Sequence, residues 1–423
     1  MKNDAAPAAL PAFAGYGLEI EYMIVDRLHL DVKPIADRLL YAGAGEAVAD
    51  VVRGEMGWSN ELALHVFEIK NRAPSPTLAP LVDAFHREVR AAAELLAGMD
   101  ARLMPGGMHP WMEPSTETRL WTQDRAALYA CYDRIFDCRR HGWGNLQSVH
   151  LNLPFSGDEE FGRLHAAVRL ALPILPALAA SSPWADKRPS GVLDTRLLMY
   201  RDHQRLVPAS MGDCIPEPIA TAADYHALVL APMYRQVAEY GAVRCKGDAS
   251  ELRHEWLNAR AAVPRFERSA IEIRVLDTQE CPLADVAVAA ASAGLVRHLY
   301  DHRCANADAL VDTPVLVDIF ERCIRDADQA RIEHPDYLAL FGLGNGGGLS
   351  AGELWGRLLD RLDASGQLPA PLHPPLQLFL QRGPLARRLA SALDDDPGRL
   401  RAVYGELCEC LLDNRLFTGP RVA

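Results

Sequence analysis

Hydrophobic and polar residues alternate along several stretches of this chain, and a period of two is typical of a strand with one buried face. The alternation is clearest in 17–25, where the even-numbered positions are apolar and Glu19 and Glu21 lie between them. These two carboxylates would share the polar face of the strand, about 7 Å apart. The pair is compatible with a solvated edge strand and with two oxygen ligands of a hard cation such as Mg²⁺. Similar patterns predict strands over 61–70, 101–104, 146–153 and 269–277.

Apolar positions that recur every three or four residues predict helices in the intervening stretches. The pattern in 77–99 is amphipathic, with Thr77 as the predicted N-cap. The other predicted helices cover residues 34–53 (with a loop around Gly43 and Gly45), 124–140, 159–180, 221–240, 283–303, 307–328, 351–363, 374–392 and 397–414. Strands and helices therefore mix in the first two thirds of the chain, and helices follow. Because they do not alternate as βαβ units, the pattern indicates an α+β fold with a largely antiparallel sheet.

Two stretches are predicted to lack regular structure. Residues 1–14 are rich in Ala and Pro and contain no long apolar run, so they are expected to form a disordered tail rather than a signal peptide. The Pro-rich residues 366–375 are predicted to be an internal linker.

The composition, with 49% hydrophobic and 24% charged residues, is that of an ordinary soluble protein. The 44 basic and 56 acidic residues give a net charge of −12, which argues against a general nucleic-acid binder. Nine cysteines without regular spacing predict free thiols in a reducing compartment rather than a zinc site. The apolar stretches are too short, or too interrupted by charge, to span a membrane. We therefore expect a cytoplasmic protein with no nucleic-acid or membrane partner.

Three of the predicted strands carry a chemically capable pair of residues on the polar face. The pairs are Glu19 with Glu21, His150 with Asn152, and Glu272 with Arg274. Carboxylates with one imidazole and no thiolate favour Mg²⁺ or Mn²⁺ over zinc. An arginine fixed beside such a site can stabilise the charge on a transferred phosphoryl group. Since the sequence GxxxxGK[ST] does not occur in the chain, the pattern predicts phosphoryl transfer without a P-loop.

The strand predicted over 61–70 is less regular than the others. Glu61 and Glu68 are seven residues apart, so they would point to opposite faces of one strand. Both can reach one site only if Glu61 precedes the strand proper or if a bulge intervenes. Periodicity alone leaves one of the two as a surface carboxylate.

Several motifs, taken in order, resemble the glutamate–cysteine ligase family, and most closely its second bacterial type, the carboxylate–amine ligases. They are Gly-Leu-Glu19-Ile-Glu21-Tyr, Glu61 with six residues before Glu68, Pro-Gly-Gly-Met-His109-Pro, Ser-Val-His150-Leu-Asn, and Ala-Ile-Glu272-Ile-Arg274-Val-Leu-Asp277. The segment Ser181-Ser182-Pro183-Trp184, with Gly191 and Arg196 after it, extends the resemblance.

The resemblance implies a glutamine-synthetase-like catalytic domain over 15–300, with a curved antiparallel sheet forming a funnel and helices outside, followed by a helical C-terminal extension over 301–423. It implies Mg²⁺ ions, or Mn²⁺, held by Glu19, Glu21, Glu61, Glu68, His150 and Glu272. Arg274 would contact the transferred phosphate, and Arg196 a substrate carboxylate or phosphate. Arg274, Glu272 and His109 would serve nucleotide binding, although His109 taken alone is more typical of a turn.

The implied reaction is the ATP-dependent joining of a carboxylate, the γ-carboxylate of glutamate, to an amine such as cysteine or another amino acid. It would proceed through an acyl phosphate and release ADP and phosphate. Two alternatives remain open, a guanidino-type phosphotransferase of the same fold superfamily and a non-catalytic relative. The chain departs from the family pattern at Ile20, Met108 and Asp194, which leaves the substrates less defined than the reaction. The sequence does not decide whether the chain forms a homo-oligomer.

Overall fold

Eight strands form one sheet in the part of the chain that the computed structural model describes, residues 9–245, 252, 255–304, 311–344 and 347–419. In chain order the strands are β1 (Gly17–Asp26), β2 (Asp50–Arg53), β3 (Met56–Asn60), β4 (Val66–Asn71), β5 (Ala101–Met104), β6 (Ser148–Pro154), β7 (Trp184–Ala185), β8 (Arg188–Pro189), β9 (Ala262–Arg265), β10 (Ala270–Asp277), β11 (Arg331–Ile332) and β12 (Leu349–Ser350). The sheet has the order β2-β3-β4-β1-β6-β10-β9, and β5 pairs with the second half of β1. Its neighbouring strands are antiparallel, as predicted from the lack of βαβ units. The pairs β7–β8 and β11–β12 lie apart from it.

Helices occupy most of the remaining described chain. They are α1 (Ala36–Ala44), α2 (Leu81–Ala97), α3 (Pro114–Glu117), α4 (Ala126–Phe136), α5 (His141–Gly144), α6 (Gly157–Ala171), α7 (Leu175–Ala179), α8 (Thr195–Tyr200), α9 (Ala222–Tyr225), α10 (Ala231–Arg244), α11 (Pro282–His302), α12 (Thr313–Asp326), α13 (Pro335–Ala339), α14 (Ala351–Ala364), α15 (His373–Arg382), α16 (Leu385–Leu393) and α17 (Leu400–Asp413). A π-helical turn, His226–Leu230, joins α9 to α10.

The predicted strand over 61–70 is wrong in its bounds. Only the second half of that stretch is a strand, β4, and residues 61–65 form the connection from β3, which ends at Asn60 and has no counterpart in the prediction. The edge strands β2 and β9 have no counterpart in the prediction, because one lies inside a predicted helix and the other contains Pro264. Proline has no backbone N–H to donate to a neighbouring strand and is confined to sheet edges or bulges, so a segment that contains it is not predicted to be a strand.

Several helix boundaries also differ from the prediction, each for a local backbone reason. The helix expected over 34–53 ends at Ala44, at the loop predicted around Gly43 and Gly45, where Gly45 adopts a left-handed conformation, φ 81°. No helix resumes after this loop, because residues 50–53 form β2. Thr77 is not an N-cap, since Pro80 holds that position and α2 begins one residue later. The single helix expected over 374–392 is broken between α15 and α16 by Gly383 and Pro384.

The larger hydrophobic core lies on one side of the sheet. The even-numbered residues of β1 from Leu18 to Ile24 are completely buried there, as the alternation predicts. The helices that pack behind the strands include α2, α6 and α11. Later helices join the same core, since the indole of Trp355 in α14 donates to the carbonyl of Ile174 at 2.8 Å. Residues 366–375 are not a free linker, because they include a short 3₁₀ helix, and Leu368 and Leu372 are buried in this core. On the opposite face, β1 carries Glu19 and Glu21 and then Met23 and Val25, which are buried in a second, smaller apolar cluster with residues of α16 and α17.

The predicted tail, 1–14, lies partly outside the described residues. Its described part, 9–14, contacts the fold, with the ring of Phe13 packed edge-on against Tyr300 at a centroid distance of 5.3 Å.

One stretch of the described chain, Gly157–Ala179, is long and apolar enough to cross a membrane by length and composition alone. It covers α6 and α7, and 89% of its apolar window is buried inside the fold. The burial accounts for its apolar character, because a helix that is apolar all round is expected in a protein core.

The cysteines are buried, and the expectation that they are all free thiols is wrong for one pair. Cys131 in α4 and Cys245 at the end of α10 form a disulfide, with their Cα atoms 5.6 Å apart. The other seven cysteines are free and buried. Burial raises the pKa of these thiols, for example that of Cys214 to about 12, so they are not nucleophiles near neutral pH.

A buried carboxylate, Asp277 at the end of β10, joins four distant parts of the chain. It accepts hydrogen bonds from the Ser181 amide and the Ser182 hydroxyl, both at 2.8 Å, and it pairs with the guanidinium of Arg196. The Ser181 hydroxyl in turn accepts from the Gly107 amide at 2.8 Å. We refer to this network as the Asp277 hub.

Replacing Gly107 by Ala is expected to destabilise the fold by about 2–4 kcal/mol, because an added Cβ would lie 2.5 Å from the buried carboxylate of Asp277. Urea unfolding would measure the loss. The control is Gly405→Ala in α17, where an added Cβ meets no atom within 4 Å. That change is expected to stabilise the helix by up to about 1 kcal/mol. Equal stability of the Gly107→Ala variant and the wild type would contradict the crowding that the structure indicates.

Candidate metal and nucleotide site

The register of the sheet brings the predicted polar residues together on one face. Glu19 on β1 lies opposite His150 on β6, and Glu21 lies opposite Glu68 on β4. Residues directly opposite each other on antiparallel strands have side chains on the same face. The pairing of β1 with β4 on one side and β6 on the other therefore brings the carboxylates together.

Glu61 reaches the same face although its parity along a single strand would forbid it. It lies in the connection before β4 begins, which is the first of the two ways in which both Glu61 and Glu68 can serve one site. Because Glu61 lies outside β4, the direction of its side chain does not follow the alternation of that strand.

Two groups of side chains have the spacing of metal ligands. One consists of Glu19, Glu68 and His150, and the other of Glu21, Glu61 and Glu68. Within each group the donor atoms lie within 4.8 Å of one another, and Glu68 belongs to both groups. Carboxylate oxygens with a single imidazole suit Mg²⁺ or Mn²⁺. The residues present therefore fit two divalent cations with one shared carboxylate.

Two of these carboxylates, Glu61 and Glu68, have raised pKa values because they are buried among other negative charges. Burial, together with the charges of Glu21 and Glu68, raises the pKa of Glu61 well above its usual value. Burial and the charge of Glu19 raise the pKa of Glu68 to about 7, against the opposing effect of Lys70. Such a cluster is favourable in its ionised form only when cations are bound.

His150 is held in place by hydrogen bonds on both ring nitrogens. Nδ1 lies 3.2 Å from the carboxylate of Glu19, and Nε2 lies 2.8 Å from the hydroxyl of Ser148. Ser148 also donates to Glu21 through its amide, at 2.8 Å. Burial opposes protonation of the imidazole, but the hydrogen bond to Glu19 and the charge of Glu21 prevail and raise the pKa of His150. Ser148 thus connects the histidine to the second group of carboxylates.

Glu272 is engaged by two arginines. Arg265 on β9 donates to it bidentately, at 2.8 and 2.9 Å, and Nε of Arg274 lies 3.1 Å from the same carboxylate. Against the effect of burial, these two guanidinium groups hold the pKa of Glu272 far below its usual range. Glu272 belongs to neither of the two groups with metal-ligand spacing. Its counter-ions in the structure are the arginines.

These side chains line a cavity of about 230 Å³. The acidic and imidazole residues of its wall include Glu19, Glu61, Glu68, His150 and Glu272. The basic residues of its wall are Lys70, Arg125, Arg265, Arg268 and Arg274. Aromatic rings of α4, α5 and the segment before β9 complete it, namely Tyr129, Tyr132, Trp143 and Trp256. The cavity combines cation-binding and anion-binding groups, which is the arrangement that a metal–phosphate complex requires.

Three predicted site residues are not part of this cavity wall. They are Glu21, which belongs to the second group with metal-ligand spacing, and Arg196 and His109, which belong to neither group. Arg196 is buried in the Asp277 hub, and its guanidinium nitrogens lie 3.3 Å from the carbonyl oxygen of Arg274. His109 is completely buried, with Nε2 2.9 Å from the carbonyl of Leu30 and its ring against Trp111. In this structure Arg196 supports the backbone of Arg274, and His109 stabilises a turn.

Several residues of the site were not predicted from the sequence. Lys70 shares a face with Glu68 two residues earlier, so its presence could have been found by the same alternation. Ser59 donates to Glu68, and this contact depends on β3, which was not predicted. Arg265 depends on β9 in the same way. The aromatic wall carries no pattern that distinguishes it from the core.

Comparisons with known proteins agree with this fold. The family model described as Glutamate-cysteine ligase family 2 (GCS2) matches residues 16–318. A protein of Archaeoglobus fulgidus, named only "Uncharacterized protein", is 35% identical over 283 residues, which cover 66% of this chain and 73% of that protein. A protein of Ectopseudomonas mendocina named "Putative glutamate--cysteine ligase 2" is 28% identical over 292 residues, covering 68% of this chain and 66% of that protein.

Among solved structures, the glutamate–cysteine ligase of Francisella tularensis in complex with AMP has a TM-score of 0.59. The match covers 94% of this chain and 88% of that chain at 12% sequence identity, so it is a likeness of fold. The α+β class and the glutamine-synthetase-like architecture predicted from the sequence are confirmed.

The fold and the family together define the class of this protein, an ATP-dependent ligase of glutamine-synthetase-like architecture. Because the family model matches well over half of the chain, the membership is unambiguous. The chain belongs to glutamate–cysteine ligase family 2.

Proposed function

We propose that this protein joins the γ-carboxylate of glutamate to an amine, cysteine or another amino acid, in an ATP-dependent reaction that passes through an acyl phosphate. The observation that carries the proposal is the shared cavity, in which two groups of metal-ligand spacing face arginines 265 and 274. A metal–nucleotide complex and an acidic substrate would both find counter-charges there.

Under this proposal the ions are Mg²⁺ or Mn²⁺, held by Glu19, Glu21, Glu61, Glu68 and His150, with Glu272 as a further ligand. Three hydrogen-bond or ion-pair contacts already occupy the Glu272 carboxylate, two of them on Oε1. Oε2 accepts only one of these contacts, so Glu272 keeps acceptor capacity with which it would help to hold a cation. Ions held by these residues would supply positive charge beside the phosphate groups of ATP, which would lower the negative charge that opposes nucleophilic attack.

The protein's own residues would mainly position the reactants. Arg274 would bind the equatorial oxygens of the phosphoryl group while the substrate carboxylate attacks phosphorus and ADP departs. The amine would then attack the acyl carbon and displace phosphate, which leaves an amide. Neither step requires a covalent bond to the protein, so binding and electrostatics would supply the rate enhancement.

The expected partners are ATP and small amino acids or amines, because the wall of the cavity is dominated by charged groups of both signs. The formal charge of −12 disfavours nucleic acid as a partner. A cytoplasmic location and the formation of a homo-oligomer remain parts of this proposal.

The experiment that tests the function is a screen of acid and amine pairs with Mg²⁺ and ATP. ADP release is measured, and the product is identified by mass spectrometry. With hydroxylamine in place of the amine, a ligase is expected to form the hydroxamate of its acid substrate. A guanidino-type phosphotransferase would phosphorylate nitrogen and form no hydroxamate. Absence of ADP release across the whole panel would contradict the proposed activity.

A further inference from the structure

The arginine pair beside the metal-ligand groups has an unusual charge balance. Glu272 is the common partner of Arg265 and Arg274, so one carboxylate faces two guanidinium groups. Three other carboxylates of the cavity wall, Glu19, Glu61 and Glu68, belong to the groups with metal-ligand spacing. If those carboxylates are neutralised by cations, one positive charge at the cavity wall has no partner. A buried charge of this kind is favourable only when an anion binds.

Arg265 carries a second sign of a missing partner. Arg265 is 8% exposed, and two of its guanidinium nitrogens donate to Glu272. The third, Nη1, is buried and has no hydrogen-bond partner within the part of the chain that the structure describes. Arg265 also lines the cavity. A buried donor without an acceptor is rare in a native fold and is commonly completed by a ligand.

The position of Arg265 suits a rigid anion-binding site. It lies on β9, opposite Ala270 of β10, and reaches along the sheet to Glu272. The bidentate contact fixes the plane of the guanidinium group, so the direction of Nη1 is set before any ligand arrives. Such preorganisation is what stabilisation of a developing charge requires.

We propose that Arg265 and Arg274 together bind the phosphoryl group that is transferred from ATP, and that Glu272 is the clamp that holds both guanidinium groups. The inference rests on the proposed ligase function. In the step concerned, a carboxylate oxygen of the substrate donates an electron pair to the γ-phosphorus. The bond from that phosphorus to the β,γ-bridging oxygen breaks, and its electron pair leaves with ADP. Arg265 is thereby a catalytic residue that the sequence motifs do not contain.

The test compares two nucleotides that differ in the γ-phosphate. Affinities for ADP and for a non-hydrolysable ATP analogue are measured by calorimetry with Mg²⁺ present, in the wild type and in Arg265→Gln. A charge-assisted hydrogen bond to the γ-phosphate predicts a loss of about 10- to 100-fold for the analogue and less than about 3-fold for ADP. Arg265→Lys, which keeps the charge but loses the planar fork, is expected to fall between the two.

The matched control is Arg260→Gln. Arg260 forms a comparable bidentate pair, with Glu217 at 2.6 Å on each nitrogen, and is 3% exposed, but it lies outside the cavity. This change removes a buried guanidinium and lowers the melting temperature, while the ratio of the two nucleotide affinities is expected to stay within about 3-fold of the wild type. The control separates a loss of folding from a loss of γ-phosphate binding.

An equal loss of affinity for ADP and for the analogue in Arg265→Gln, or no loss for either, would overturn the inference. So would weaker binding of the acid substrate with unchanged nucleotide affinities, since Arg265 would then serve a substrate carboxylate. A wild-type protein that binds neither nucleotide and releases no ADP would instead refute the proposed function. The failure of the inference is therefore distinguishable from the failure of the function on which it rests.

Discussion

ADP release by the Glu68→Gln variant is expected to fall at least about 10³-fold, because Glu68 is the one residue common to both groups with metal-ligand spacing. The fold should survive the change. The pKa of Glu68 is raised to about 7, so its ionised form destabilises the metal-free protein as the pH rises from about 4.5 through 7. Glutamine removes this penalty, and at pH 8 the metal-free variant should melt no lower than the wild type. Turnover and melting temperature, each with and without Mg²⁺ or Mn²⁺, provide the measurements.

The same experiment distinguishes metal binding from other roles of Glu68. Added metal should raise the melting temperature of the wild type by mass action and leave that of the variant nearly unchanged. Glu409→Gln is the control, since Glu409 lies on the surface and pairs with Arg102 away from the cavity. Turnover of Glu68→Gln within tenfold of the wild type would contradict the assignment of Glu68 as a shared ligand.

Arg274→Gln is expected to lower kcat by about 10²–10³-fold, the usual effect of removing one preorganised donor from a transition-state charge. The guanidinium of Arg274 is held by Glu272, and its backbone carbonyl lies 3.3 Å from the nitrogens of Arg196. Lysine at this position keeps the charge but not the planar geometry, so Arg274→Lys should recover only part of the loss. Steady-state ADP release with saturating substrates measures the effect.

Arg205→Gln serves as the control for this second variant. Arg205 is an exposed arginine that pairs with Asp202 at 3.0 Å, and its loss should leave kcat unchanged within about twofold. If Arg274→Gln raised only the KM for ATP and left kcat intact, Arg274 would bind the nucleotide equally in the ground state and transition state.

The polar face of the sheet was largely predictable from the sequence. Alternation alone assigned Glu19, Glu21 and His150 to polar faces, and the register of β1 with β6 and β4 brings those faces together. The prediction succeeds because a side-chain period of two leaves little freedom once one face is apolar. The strands, however, do not reveal their neighbours, so the order of the sheet required the structure.

Other parts of the site depend on contacts that local patterns do not encode. Arg265 forms an ion pair with Glu272 only because β9 pairs with β10. The sequence does not predict β9, because Pro264 is atypical of a strand. Glu61 reaches the site from a connection whose path is set by tertiary packing. The pairing of Cys131 with Cys245 spans 114 residues, and no spacing rule indicates it.

The Asp277 hub connects residues that are far apart in the chain. Gly107, the Ser181–Ser182 pair and Arg196 all occur in the segments that carry the family resemblance, and all meet at one carboxylate. Their shared task is to fix the end of β10, three residues after Arg274. A mutation in any of these segments would therefore reach the reacting groups through the backbone of a single strand. Surveys of loss-of-function variants should find inactive proteins with an intact cavity wall, whose defect begins at this buried junction.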